Sequence, residues 1–340
     1  MAGKQVLVLG NLPKECSAKL QKVATVTEHY RENSLNPEKM IELLADKDAV
    51  ISEPLDHLTP EILDQCTRLL VVSNRAVGFD NVNLKEATKR GVLVSNTPGV
   101  LDAATADLAF ALFLAVTRRI VEADKYVRSG KWSGYRSDLL LGPDIYGKTM
   151  GIVGMGRIGK AFAQRARAFG MKIIYTRFSD PDQKDREYEQ ELSATRVTLK
   201  ELLENSDFVS LHCPYTKETH HLLGKAELNK MKPDSILINT ARGKVVDENA
   251  LVAHLEAGRI FGAGLDVFEN EPHVPETLKK LDNVVLAPHI GSACVDTRRK
   301  MTEMSVDAIL NAFNGQKPVN LLNQDAWDIY LNKSCQNQNG

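Results

Sequence analysis

Three apolar runs in the second half of the chain end on residues able to bind anions and move protons. They are Arg242 in INTARGKVVDENAL, Asp266 and Glu271 in GAGLDVFENEP, and His289 in LAPHIGSA. A guanidinium, a carboxylate and an imidazole brought together can hold an anionic substrate, favour the charged imidazole and deliver its proton. Taken singly, each has a structural alternative: His289 after Pro288 as a loop histidine, Arg242 as an ion-pair partner, Glu271 as a turn residue before Pro272. The set gains weight from its setting, because ligands of open α/β sheets bind beyond the carboxyl ends of the strands.

A second chemical feature lies upstream. VGMGRIG places Gly154, Gly156 and Gly159, with Arg157 and Ile158 between them, after a strand-like run and at the start of the helix-like RIGKAFAQRARAFG. The first glycine suits a tight turn, the second lets the backbone approach a pyrophosphate, and the third lets helix and strand pack closely. The helix start then offers free N–H groups to phosphate. An acid normally follows, at the end of the next strand, to hold the ribose hydroxyls. Here KIIYT is followed by Arg177, so Thr176 and Arg177 occupy that place. A threonine can donate to a 2′-phosphate and an arginine can neutralise it, so the pattern favours NADP(H) and leaves NAD(H) possible. The alternative is a solvated surface arginine.

The elements that must position these residues follow from hydrophobic patterning. Continuous apolar runs recur at 6–10, 49–52, 69–73, 92–96, 150–154, 172–176, 208–213, 235–240, 263–267 and 284–288, with helix-like segments between them. Such runs mark parallel strands covered on both faces. The pattern predicts an α/β protein of two doubly wound parallel-sheet domains, one of them Rossmann-type for the cofactor. One extended helix is expected from Asp102 to Arg128, with Asp102 as N-cap and Ser129-Gly130 as its stop. The expected substrate domain is 1–101 with 292–340, reached through a helix over 295–315, and the cofactor domain is 102–291. The polar tail NKSCQNQNG is expected to fray.

Bulk properties narrow the function. With 340 residues, 43% hydrophobic and 26% charged, the chain can bury two cores, and a net charge of −1 implies no general attraction to nucleic acid or an anionic membrane. The N-terminus lacks the pattern of a signal peptide, and the longest apolar run, Leu108 to Val116, falls far short of the roughly 20 residues of a membrane span. Cys16, Cys66, Cys213, Cys294 and Cys335 are widely spaced without a C-x-x-C pair. No metal site or disulfide framework is expected, and a reducing cytoplasm fits.

Taken together, VGMGRIGKAFAQRARAFG, LHCPYTKETHHLLG, LINTARGKVVDENAL, GAGLDVFENEP and LAPHIGSA resemble the D-isomer-specific 2-hydroxyacid dehydrogenase family. AVGFDNVNL and NTPGVLDAATAD extend the resemblance into the first domain. Within the family the pattern is most similar to the glyoxylate/hydroxypyruvate reductases, many of which prefer NADPH. The resemblance implies that Arg242 binds the carboxylate and carbonyl of a 2-oxo acid, that His289 is the acid/base and that Glu271 pairs with it. It implies that the domain other than the Rossmann-type one is a flavodoxin-like substrate domain. It implies that Val77 and Gly78 hold the substrate carboxylate through their N–H groups and that Asp266 orients the nicotinamide carboxamide. Thr105, Cys213, Pro214, Thr219, Thr240, Ala241 and Gly291 match positions lining the cofactor. A homodimer joined through the region after Asp102 is also implied, with Trp132 and Tyr135 shaping the pocket or packing at the interface. Arg75 either adds positive charge near the substrate entrance or is solvated. The alternatives are a D-lactate, gluconate-type or phosphoglycerate dehydrogenase, or a dinucleotide-sensing corepressor on the same fold.

Overall fold

The computed structural model describes residues 3–30, 34–179 and 182–336, without the side chains at 184, 335 and 336. The chain divides into two compact units, Met1–Leu101 with Ala293–Gly340, and Asp102–Ser292.

The first unit holds β1 (Lys4–Leu9), β2 (Ala24–His29), β3 (Ala49–Ser52), β4 (Val71–Asn74) and β5 (Leu93–Ser95) in one parallel sheet ordered β2-β1-β3-β4-β5. This is the flavodoxin-like order. Alternate side chains feed two cores. Val6, Val8 and Ile51 join Val306 and Ile309 of the helix Val295–Phe313 on one face. Leu7, Leu9 and Val50 join Met40, Leu44 and Ile62 on the other. Apolar runs did not mark β2, because this edge strand reads ATVTEH and none of its residues is fully buried. The tail differs from expectation: Trp327–Gln336 is a helix, with Trp327 and Tyr330 packed on the first of these cores, and residues 337–340 lie outside the description.

The second unit holds β6 (Thr149–Val153), β7 (Lys172–Thr176), β8 (Thr195–Arg196), β9 (Phe208–Leu211), β10 (Ile236–Asn239), β11 (Gly262–Leu265) and β12 (Val284–Leu286). Their order is β12-β11-β10-β9-β6-β7-β8, every pair parallel. The chain starts at β6, winds out to β8 and returns to β9, so the direction of winding reverses between β6 and β9. That reversal is where such sheets open a crevice at their carboxyl ends.

The single helix expected over 102–128 is two helices, Asp102–Thr117 and Ile120–Arg128. Asp102 lies in the first turn rather than capping it, while Ser129 caps the second helix and Gly130 follows in the left-handed region at φ 72°. The break falls at Arg119, itself left-handed at φ 49°. Its cause is tertiary: the irregular segment after Gly130 returns over the end of the first helix. A Cβ on Gly142 would lie only 1.8 Å from the Thr117 carbonyl oxygen, and Arg119 donates to the Leu141 carbonyl at 3.4 Å. The first helix packs close to the sheet, where a Cβ on Gly264 would lie 3.0 Å from that of Leu112.

Among the described residues no helix is long and apolar enough to cross a membrane, and no group of three His, Cys, Asp or Glu side chains could hold a metal ion.

Candidate active site

The fingerprint forms the turn from β6 into the helix Arg157–Ala168. Gly154 has φ 96°, and a Cβ there would lie 2.6 Å from the Cys213 nitrogen. A Cβ on Gly159 would lie 2.2 Å from the Gly154 carbonyl oxygen, so only glycine lets helix and strand meet at this distance. Gly156 differs: it faces open space and caps the helix with no side-chain hydrogen bond, leaving the first N–H groups to another acceptor. Arg157 beside it pairs with Asp102 at 3.1 Å and is largely exposed, and Ile158 is half-buried.

At the neighbouring strand ends, the buried Thr240 hydroxyl and His212 Nδ1 have no partner among the described residues. Burial holds His212 neutral, its pKa lowered to about 3, with Nε2 2.9 Å from the Ser210 hydroxyl. Buried polar atoms without partners are uncommon, so these suit a ligand that brings donors and acceptors. With the uncapped helix start, the residues present fit a nicotinamide dinucleotide. Cys213 contributes backbone rather than reactivity, since burial pushes its thiol up to about 12. The exposed Pro214 opens a loop that Thr219 closes on itself: the Thr219 hydroxyl donates to the Pro214 carbonyl at 2.8 Å and accepts from Thr216 N–H at 2.7 Å.

The end of β7 is more crowded than its sequence suggests. Arg177 is not solvated; its side chain is 15% exposed and pairs with Asp182 at 3.0 and 3.3 Å and with Asp185 at 3.3 Å. The Asp182 carboxylate, then that of Asp185, holds the guanidinium firmly charged. From β8, Arg196 donates to Asp185 at 2.8 Å and to the carbonyls of Arg177 and Ser179, fixing the loop backbone. Thr176 is buried, its carbonyl accepting from Gly154 N–H at 3.0 Å.

The candidate acid–base residues Glu271 and His289 meet beyond β11 and β12, and Arg242 follows β10. His289 Nδ1 lies 2.7 Å from Glu271 Oε2, and Glu271 Oε1 accepts the Phe268 N–H at 3.0 Å. His289 has a left-handed backbone, φ 55°. The Asp266 carbonyl accepts the His289 N–H at 2.8 Å, while its carboxylate accepts the N–H groups of Ile290 at 2.7 Å and Gly291 at 2.8 Å. Burial pushes the Asp266 carboxyl above its ordinary range, with those donors and the imidazole acting against it. The residue assigned by resemblance to the carboxamide is thus committed to the backbone of the histidine turn, a role its sequence position did not reveal. A Cβ on Gly291 would lie 3.5 Å from the Thr105 hydroxyl, so these two also meet here. Arg242 is half-buried, with Nη1 donating to the Ala241 carbonyl at 2.8 Å. Asn239 shapes the turn beneath it, accepting from Ala241 N–H and donating to the Arg242 carbonyl, each at 3.0 Å.

In the first unit, Asn96 donates to the Val77 carbonyl and Asn74 to the Gly78 carbonyl, each at 2.8 Å. No acceptor among the described residues faces the Val77 or Gly78 N–H groups. Arg75 is neither solvated nor an open charge. It is 7% exposed, paired with Glu53, and donates at 3.2 Å to both the Asn11 carbonyl and the Thr302 hydroxyl. Its charge is neutralised within the unit, so it pins the 75–78 loop instead of attracting anions.

The chain is similar to known proteins along most of its length. The family described as D-isomer specific 2-hydroxyacid dehydrogenase, NAD binding domain, matches residues 110–291. The chain is 52% identical over 291 residues to a glyoxylate reductase of Thermococcus litoralis, covering 84% of this chain and 86% of that one. It is 48% identical over 323 residues to the glyoxylate reductase of Korarchaeum cryptofilum, covering 94% and 96%. Among crystal structures, a Thermus thermophilus protein is similar with a TM-score of 0.86 at 42% identity, covering 94% of this chain and 99% of that one. An NADPH-dependent glyoxylate/hydroxypyruvate reductase from Sinorhizobium meliloti, in complex with NADP and malonate, gives a TM-score of 0.81 at 33% identity, covering 95% and 97%. A dinucleotide fingerprint and an acid–base pair, set within matches that span nearly the whole chain, leave one family: the chain belongs to the D-isomer-specific 2-hydroxyacid dehydrogenases and is an NAD(P)-dependent oxidoreductase of glyoxylate reductase-like type.

Proposed function

We propose that the protein reduces glyoxylate or hydroxypyruvate to the corresponding 2-hydroxy acid, with NADPH preferred over NADH. The observation that carries this reading is the 2.7 Å pair of His289 and Glu271 at the strand ends of a dinucleotide-binding sheet. Glyoxylate reductases among the relatives supply the substrate class.

The Gly154–Gly159 turn and the helix start behind it hold the pyrophosphate, and Thr105, Thr240 and Gly291 border the nicotinamide. When bound, the reduced nicotinamide supplies a hydride to the carbonyl carbon. Protonated His289 gives its proton to the carbonyl oxygen, and Glu271, hydrogen-bonded at Nδ1, stabilises the charged imidazole and orients the ring. Arg242 opposes the charge that develops on that oxygen, while the Val77 and Gly78 N–H groups take the substrate carboxylate. Arg177 and Thr176 supply the preference for a 2′-phosphate.

The same reading includes a cytoplasmic homodimer. Helix Ile120–Arg128 buries none of its residues, and Trp132, Tyr135, Leu141 and Tyr146 are exposed close behind it in sequence. Apolar side chains collected on one such segment suit an isologous contact with a second copy. Sedimentation of the purified protein at twice the monomer mass supports this, and a monomer refutes it.

The deciding experiment is a panel of 2-oxo acids assayed with NADPH and with NADH. Highest kcat/KM for glyoxylate or hydroxypyruvate with NADPH is the expected result. A higher value for pyruvate or a phosphorylated 2-oxo acid replaces the substrate, and equal values for the two dinucleotides remove the cofactor preference.

A further inference from the structure

The loop that carries Glu271 contains a second carboxylate, Glu269, and each faces a histidine. Glu271 meets His289; Glu269 Oε1 lies 2.9 Å from His221 Nε2. Both histidines have left-handed backbones, φ 55° at His289 and φ 48° at His221. For a residue with a side chain, that conformation persists where the surroundings over-determine it, and such positions cluster at functional sites.

The Glu269 end of the loop is fastened by three hydrogen-bond contacts to two residues. Its N–H donates to Glu248 Oε1 at 3.2 Å, and its Oε2 accepts the Glu248 N–H at 3.4 Å, a reciprocal pair with the first residue of the helix Glu248–Glu256. His221 supplies the third contact and is itself anchored, its N–H donating to the Lys244 carbonyl at 2.9 Å. The segment at 243–245 also lies against the loop, for a Cβ on Gly243 would fall 1.9 Å from the Phe268 carbonyl carbon. Phe268 in turn donates its N–H to Glu271 Oε1. The titratable groups around His221 are Glu269 and the stacked His220, whose ring centroid is 4.0 Å away and which meets the Tyr215 hydroxyl; Glu248, Glu271 and His273 surround the loop.

We propose that His221 is a positioning residue for the reduction: through Glu269 it fixes the 268–271 segment, and with it the Glu271 carboxylate that aligns His289. The proposal rests on the acid–base role given above to His289 and Glu271. Losing the Glu269 contact lets Glu271 drift, and the imidazole then meets the carbonyl oxygen in fewer productive orientations. Drift of this kind lowers kcat, because the alignment matters only in the transition state. It leaves dinucleotide and 2-oxo acid binding unchanged.

The test is steady-state reduction of glyoxylate with NADPH by His221→Ala, His221→Gln and Glu269→Gln, with His289→Ala as reference, together with NADPH binding by fluorescence. His221→Ala is expected to lose about tenfold to a hundredfold in kcat, with KM and the NADPH Kd within about twofold of wild type. His221→Gln keeps an N–H donor toward Glu269 and is expected to recover most of the loss. Wild-type kcat in His221→Ala, while His289→Ala is inactive, overturns this inference alone. Loss without recovery in His221→Gln, or equal loss of kcat and NADPH binding, shows a merely structural role and also overturns it. Should the alanine variant not fold, Glu269→Gln decides: reduced kcat supports the proposal and wild-type kcat refutes it. Full activity in His289→Ala overturns both the inference and the reading beneath it.

Discussion

Replacing Arg177 with alanine tests the cofactor preference most directly. The guanidinium is not idle, since Asp182 and Asp185 hold it. A 2′-phosphate must therefore compete with carboxylates already in place. Asp182 is 45% exposed, and an ion pair in such a position contributes about 0.2–1 kcal/mol. A charge-assisted hydrogen bond to phosphate is worth about 1.5–3 kcal/mol. Taking roughly 0.5 kcal/mol for the contact given up leaves about 1–2.5 kcal/mol, or roughly fivefold to seventyfold in the ratio of kcat/KM for NADPH over NADH. Arg177→Ala is expected to lower the ratio by that factor, mainly through NADPH. Asp182→Asn releases part of the guanidinium and is expected to raise the ratio by up to about fivefold. The double variant should match Arg177→Ala, because Asp182 acts through the arginine. The assay is initial-rate kinetics with each dinucleotide at saturating glyoxylate. An unchanged ratio in Arg177→Ala refutes the reasoning, and a raised ratio from Asp182→Asn in the absence of Arg177 refutes the competition.

Gly159→Ala puts a Cβ 2.2 Å from the Gly154 carbonyl oxygen, so the helix must move off β6; a stability loss of about 1–3 kcal/mol with weaker NADPH binding is expected, and wild-type melting and titration curves refute it. Burial works against ionisation of Asp207, but the Thr149 N–H and the Lys232 ammonium outweigh it and hold the carboxyl below the ordinary range. Its contribution is therefore complete above the unfolded value of about 3.9 and is lost as pH falls through the depressed folded value, so Asp207→Asn should flatten the acid side of a plot of Tm against pH. Glu248 has the opposite sign: burial, with Glu269 and Glu271 adding to it, raises its carboxyl. Its ionisation penalty grows as pH rises from the unfolded value of about 4.3 to the raised folded value and is constant above it, so the Tm gain of Glu248→Gln over wild type should grow across that interval and then level off, and a difference that does not vary with pH refutes this.

Much of the fold was legible because buried parallel strands write themselves as unbroken apolar runs. Ten such runs correspond to strands β1, β3–β7 and β9–β12. The two strands without one are β2 and β8, the edge strands next to β1 and β7. Edge position alone does not decide this, since edge strands β5 and β12 carry apolar runs and β5 is buried throughout; β2 and β8 are only partly covered, so ATVTEH and TR carry no such mark. The division of the long helix at Arg119 was hidden for another reason. Neither Arg118 nor Arg119 is a helix breaker; the break comes from Gly142 pressing on the Thr117 carbonyl, a contact made by chain more than twenty residues onward.

The candidate site shows the same limit in charged residues. Position at a strand end is legible, and Arg242, Asp266, Glu271 and His289 all sit beyond the ends of β10 to β12. Partnership is not. Arg75, Arg177 and Asp266 each invited a reading in terms of a small molecule, and each is held by the protein itself: by Glu53, by Asp182 and Asp185, and by the Ile290 and Gly291 N–H groups. A charge withdrawn from water must find an opposite charge or a set of dipoles, and the fold supplies them from residues far away in the sequence as readily as from neighbours. Glu53 precedes Arg75 by 22 positions and Thr302 follows it by 227. A missing partner is therefore the clearer mark of a ligand-binding group, and a partnered charge such as Arg177 can serve a ligand only by competition. By that criterion the uncapped start of helix Arg157–Ala168, the unpartnered Thr240 hydroxyl and the Val77 and Gly78 N–H groups point outward more clearly than any charged side chain. Two of these are backbone features that residue chemistry alone does not announce; VGMGRIG signals one of them through its glycines, while the charged side chains needed the fold to sort them.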